Sequence, residues 1–152
     1  MILLIMLLKL DSLGNFIWAK KIGGTSGDIA YSIAIDSNSN VYTTGLYMGT
    51  TDFDPGPGVF NLTLGSGSSN VFISNLDSLG NFVWAKRSIS CPGYSYSIFV
   101  DKNSNVFTTG FYGGTGDVDP AAGVYLLSSS GGDVLVQKLG TTKVWPGDID
   151  NN

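Results

Sequence analysis

The sequence repeats itself, and that constrains it more than any other feature. LDSLGNFIWAK at positions 10–20 returns as LDSLGNFVWAK at 76–86, with Ile17 against Val83 as the one difference. DSNSNVYTTG at 36–45 returns as DKNSNVFTTG at 101–110, and TDFDPGPGVF at 51–60 as GDVDPAAGVY at 116–125, both with an offset one shorter than that of the first pair. Collinear matches at nearly one period mark a supersecondary unit that buries its apolar face by stacking on its neighbours.

Within a unit the apolar period is two. Tyr31, Ile33 and Ile35 alternate with Ser32 and Ala34, as Tyr96, Ile98 and Val100 do one unit on, which is the pattern of a strand and not of a helix. Four strands per unit are expected. Strand A holds those residues; strand B runs over 41–46 and 106–111, strand C over 71–76 and 134–139, and strand D over 16–21 and 82–87. The apolar opening at 2–8 enters in register with strand C, so it reads as a strand and not as a signal peptide, which would carry a basic start and a small-residue cleavage site.

Read in order, the strands are C-D, A-B-C-D and A-B-C. The expected fold class is therefore all-β, with tandem four-stranded antiparallel sheets forming a partial β-propeller, about two blades of a larger ring. Residues 1–141 form the repeat segment, with units of about 10–75 and 76–139 preceded by a strand of a prior blade, and 142–152 form a tail.

The A-B and C-D connections share the pattern D-x-x-[SG]-N at 36–40, 101–105, 11–15 and 77–81. Such a segment predicts a hairpin turn in which Gly14 or Gly80 takes the left-handed conformation and the Asp carboxylate accepts from the loop backbone. The B-C connection is longer, with Asp-Pro and many glycines. It predicts a protruding surface loop with a short extra hairpin near 59–64.

Composition removes whole classes of chemistry. The chain has no histidine and one cysteine, Cys91; it therefore holds no Ser-His-Asp or Cys-His site, no internal disulfide and no zinc site of the usual ligands, which leaves oxygen-ligand metals such as calcium. A net charge of −4 supplies no basic stripe for phosphates, so no nucleic-acid partner is expected. No run is long enough to span a membrane.

Residues 34–36 and 40–45 (AID and NVYTTG), Val71-Phe72, Leu76-Asp77 and GNFVWAK at 80–86 together resemble the bacterial β-propeller repeats known as SBBP repeats, over nearly the whole chain. The resemblance implies a seven-bladed or similar propeller in secreted or cell-surface proteins, often with a C-terminal sorting region, and no general assigned activity. The B-C loop makes this unit longer than the family's. WPGDIDNN at 145–152 resembles the start of a dockerin-like calcium loop, with Asp148, Asp150 and Asn152 at its first, third and fifth positions and the later Gly and acid absent.

Several residues invite a functional reading and a structural one. Asp52 and Asp54, with Asp117 and Asp119 one unit later, put paired carboxylates on a loop, where they could bind calcium, act as acid and base, or fix the turn before Pro. Asp36, Asn38 and Asn40, with Asp101, Asn103 and Asn105, fit half of a calcium loop, but strands begin at Val41 and Val106 where its Gly should stand. Trp18 and Trp84 suit sugar stacking, yet a Trp recurring once per unit on the same face as Phe16 or Phe82 is expected to pack between sheets.

The functional expectation is a non-catalytic extracellular module, acting as scaffold or binding surface in a bacterial secreted or cell-surface protein. A fragment of a propeller lyase or hydrolase and a calcium-stabilised adhesion module are the alternatives. No cofactor is expected, with calcium possible. The expected partners are a protein or carbohydrate ligand and further propeller blades or copies of the chain.

Overall fold

The computed structural model describes residues 3–64 and 67–140, and all the regular structure among them is strand. In chain order these are β1 (Ile5–Leu10), β2 (Phe16–Gly24), β3 (Ile29–Ile35), β4 (Val41–Tyr47), β5 (Thr50–Asp52), β6 (Asn61–Thr63), β7 (Asn70–Leu76), β8 (Phe82–Ile89), β9 (Gly93–Val100), β10 (Val106–Asp117) and β11 (Leu126–Leu139). They pair into three antiparallel sheets, β1-β2-β5-β6, β3-β4-β7-β8 and β9-β10-β11. The middle sheet is a complete A-B-C-D blade; β1-β2 supply C-D of the sheet before it, and β9-β10-β11 supply A-B-C of the sheet after it. Strand A of the third sheet, β9, packs against β3, β4 and β7 of the second. Sheets stacked face to face with their A strands adjacent form part of a β-propeller.

Each A-B and C-D turn is closed by its aspartate. Oδ1 of Asp11 accepts from the backbone N–H of Leu13 and Asn15 at 2.9 and 2.8 Å, while Oδ2 accepts from the Asn15 side-chain amide at 2.8 Å. Asp36 with Asn40, Asp77 with Asn81 and Asp101 with Asn105 repeat the arrangement. The fourth residue of each turn lies in the left-handed region, Gly14 at φ 85°, Gly80 at 80°, Ser39 at 63° and Ser104 at 60°, as a turn with a bulge requires.

Two stacked interfaces make the core. Ile5, Leu7 and Ile22 of the first sheet, with Trp18, meet Tyr47, Phe72, Leu76 and Ala85 of the second together with Phe53. Farther along, Tyr42 and Ile73, with Ala34 and Trp84, meet Ile98, Val106 and Leu139 of the third. Both tryptophans thus pack between sheets. Phe82 and Trp84, however, join opposite interfaces, because a register shift between Asn75 and Leu76 turns Phe82 over relative to Trp84; the expectation of one shared face fails on that bulge.

The B-C segment holds the expected short hairpin, formed by β5 and β6, but lays it against the sheet before: it adds to the end of β2, with Gly23 opposite Asp52 and Gly24 opposite Thr51. Phe53 seals it, fully buried with its ring 5.8 Å from Tyr47 and 4.9 Å from Phe72. In the third sheet the same hairpin is continuous with β10 and β11, which makes those strands 12 and 14 residues long. It reaches back likewise, since the Ser90 N–H donates to the Asp117 carbonyl at 2.9 Å and the Asp117 N–H donates to Ser90 Oγ at 2.7 Å. Each B-C insertion therefore clips its own blade to the one before.

Phe53→Ala is expected to cost about 3–5 kcal/mol in urea unfolding despite lying in a connection, because it empties a closed aromatic site. Gly14→Ala is expected to cost about 1 kcal/mol from left-handed strain alone, since its added Cβ would meet open space. Gly80→Ala should cost more in the same measurement, because that Cβ would lie 2.8 Å from the Lys20 side chain and 3.1 Å from the Trp18 ring.

Candidate functional site

The two acidic loops, taken residue by residue, are one structure built twice. Oδ1 of Asp52 accepts from the N–H of Asp54 at 3.0 Å and of Phe60 at 2.9 Å, and Oδ1 of Asp54 accepts from the Gly56 N–H at 2.7 Å. One unit later Asp117 accepts from Asp119 and Tyr125 at 3.0 and 2.9 Å, and Asp119 from Ala121 at 2.8 Å. In each loop the first carboxylate bridges the base and the second folds the tip. Backbone N–H groups thus occupy the Oδ1 atom of each carboxylate.

Asp28 accepts hydrogen bonds in the same manner, although no motif in the sequence marks it. It is buried, and its carboxylate accepts from the Gly24 N–H at 3.0 Å, the Met48 N–H at 3.3 Å and the Thr51 hydroxyl at 2.8 Å. This ties the ends of β2 and β4 to β5. The next unit has Gly93 at that position, so repetition gives no signal. Asp133 lies exposed on β11. Among the described residues, no three acidic or sulfur groups stand close enough to hold a metal ion. Asp148, Asp150 and Asn152 lie outside the described residues.

The turn carboxylates are held below the usual range. For Asp11 and Asp101 the main cause is the side-chain amide of Asn15 or Asn105, and for Asp77 it is the backbone N–H of Asn81. For Asp36 burial acts upward but the hydrogen bonds from Asn40 overcome it. Tyr42 donates its hydroxyl to Asp36 Oδ2 at 3.2 Å, and burial together with the Asp36 charge pushes the phenol up to about 12. Burial likewise raises the Cys91 thiol, which is enclosed beside Val71, Ile89 and Leu135.

A polar cleft lies between the two insertions, with a volume of about 310 Å³. Tyr47, Asn61, Thr63, Arg87 and Asp119 are among the residues lining it. Asp119 and Asn61 come from different blades, so this cleft exists because neighbouring insertions face each other. On the A strands a second feature appears: Tyr31 and Tyr96, at the bulges of β3 and β9, meet edge to face at 5.5 Å, and Tyr94 stacks on Tyr96 at 6.1 Å. Bulging exposes both Tyr31 and Tyr96.

The β-propeller repeat model SBBP matches residues 17–46. That stretch covers most of β2 with β3 and β4, the outer strand of one blade and the first two of the next. Tandem propeller repeats are thus present in sequence and in structure. An uncharacterized WD repeat-containing protein of Acanthamoeba polyphaga mimivirus is 30% identical over 124 residues, which is 72% of this chain. The chain spans 9% of the length of that relative.

Acid and alkali should destabilise the fold through different groups. Because the four turn carboxylates titrate lower in the folded chain than in the unfolded one, their contribution is complete above about pH 4 and is lost as pH falls through their folded values. The melting temperature is expected to hold from neutral pH down to about 4 and to drop below it. At the alkaline end the sign reverses: Tyr42 stays protonated to about 12 when folded, so its contribution declines as pH rises from about 10. Melting curves across pH measure both, with Tyr42→Phe as the control that should make the alkaline limb shallower, the raised Tyr31, Tyr47 and Cys91 accounting for the rest.

Proposed function

We propose that this chain is a non-catalytic propeller-repeat module of an extracellular bacterial protein, presenting its insertions as a scaffold and binding surface for a protein or carbohydrate. The observation that carries the reading is the use of the acids. A general acid or base needs a carboxylate aimed at a substrate, and the loop aspartates are aimed at their own backbone N–H groups. The insertions frame the polar cleft at Arg87, and this supports recognition there. The extracellular assignment rests on the resemblance to SBBP repeats. It agrees with a chain whose single thiol is enclosed.

Substitution of the loop acids separates stability from activity. Asp52→Asn and Asp117→Asn are expected to lower the melting temperature, because an amide substitutes imperfectly for a carboxylate that accepts two N–H groups. No polysaccharide hydrolysis or elimination should be lost with them. A cleavage activity that disappears in Asp52→Asn while the melting temperature stays at the parent value refutes the reading. Millimolar calcium against chelator should leave the melting curve in place; a rise with calcium would instead favour the adhesion module. For location, protease added to intact cells producing the protein should degrade it, and protection would contradict the assignment.

A further inference from the structure

Tyr31 and Tyr96 hold the same place in successive units, and neither has a residue opposite it. β4 sets Gly45 against Ala30 and Thr44 against Ser32, passing over Tyr31; β10 sets Gly110 against Ser95 and Thr109 against Ser97, passing over Tyr96. Each tyrosine is thus the extra residue of a β-bulge, a device that re-aims a side chain. The partner strand is shaped for it. A Cβ on Gly45 would collide with the Ile29 carbonyl, and one on Gly110 with the Tyr94 carbonyl, so the glycine that ends the Thr-Thr-Gly run of both units makes room for the bulge. The bulge also breaks the alternation expected of strand A. Ile33 and Ile35 line a cleft with Leu7 and Trp18 of the first sheet, while Tyr31 meets Tyr96 of the third, edge to face at 5.5 Å.

Exposure of this pair does not come from where the chain begins. Ser32 Oγ accepts from the Ile98 N–H at 3.2 Å, so the second and third sheets are closed on each other beside Tyr31. Tyr31 is still 42% exposed, and Tyr96 is 55% exposed. Strand A is an edge strand of both sheets and β3 packs on β9, which gathers the A strands about the axis of the propeller. One bulged tyrosine per blade therefore faces that axis. The surface around the pair is uncharged, since β3 (IAYSIAI) and β9 (GYSYSIFV) hold no acidic or basic residue. Burial, with the Tyr96 and Tyr94 phenols nearby, raises the Tyr31 hydroxyl, which leaves neutral hydroxyl groups as the polar part of the site.

We propose that the bulged tyrosines of the A strands bind a neutral saccharide at the propeller axis, with sugar rings stacked on Tyr31 and Tyr96. The C–H face of a sugar covers an aromatic ring, and its hydroxyls exchange hydrogen bonds with the phenols and with the exposed Ser97. Two strands without a lysine or arginine offer nothing to an acidic sugar, and without a carboxylate they offer only ring faces to a quaternary ammonium. The site is separate from the polar cleft at Arg87. It stands whether or not that cleft binds a ligand.

The probes are cellohexaose, maltohexaose and xylohexaose, each titrated into the full chain and followed by calorimetry and by NMR of the tyrosine ring protons. At least one is expected to bind and to shift the Tyr31 and Tyr96 resonances. Tyr31→Ala and Tyr96→Ala, each checked for folding by its melting curve, should weaken that binding about tenfold through the loss of one stacked ring. Tyr31→Phe keeps the ring and should bind within about threefold of the parent, and Arg87→Ala should bind as the parent does. The proposal is overturned if none of the three saccharides binds, or if choline binds more tightly than all of them. It is equally overturned if binding survives both alanine variants and is lost in Arg87→Ala, which would place the saccharide between the insertions.

Discussion

A carboxylate that accepts two backbone N–H groups and a side-chain amide closes every A-B and C-D turn in the described chain, and the stacked architecture depends on it. Because side chains alternate along a strand, a slip of one residue would carry every apolar group to the wrong face. The turn fixes the pairing of β1 with β2, β3 with β4, β7 with β8 and β9 with β10. That pairing decides that Tyr42 and Ile73 face one neighbour while Tyr47 and Phe72 face the other. The polar bonds are individually modest; their importance lies in the apolar contacts whose placement they determine.

Much of this was legible in the sequence, and the reason is the repetition. Strand order, the four aspartate turns and the left-handed positions of Gly14 and Gly80 follow from local patterns stated more than once. What escaped was non-local or unrepeated. Nothing in the order of residues says that the B-C insertion turns back onto β2, although the apolar Phe53 amid polar neighbours was its trace. Asp28 left no such trace, since Gly93 replaces it one unit on. The single-face reading of Phe82 and Trp84 missed a bulge that no residue type announces.

The candidate site was legible only as a set of residue types. Asp52, Asp54, Asp117 and Asp119 were visible as paired acids, but a sequence does not show what an acid faces. In the fold their Oδ1 atoms accept from the Asp54, Phe60, Gly56, Asp119, Tyr125 and Ala121 amides. The cleft beside Arg87 was invisible for a different reason, since its walls come from two insertions distant in the chain and brought together by stacking.

The clip formed by β5 and β6 adds an order in time. The hairpin belongs to the second blade's sequence but completes the first blade's sheet, so a chain emerging from its N-terminal end makes β1 and β2 before it makes the strands that lock them. Ser90 and Asp117 repeat the delay one unit later. Each blade is therefore secured by its successor, as a ratchet tooth holds the one behind it, and assembly gains a direction that a simple stack of identical sheets would lack.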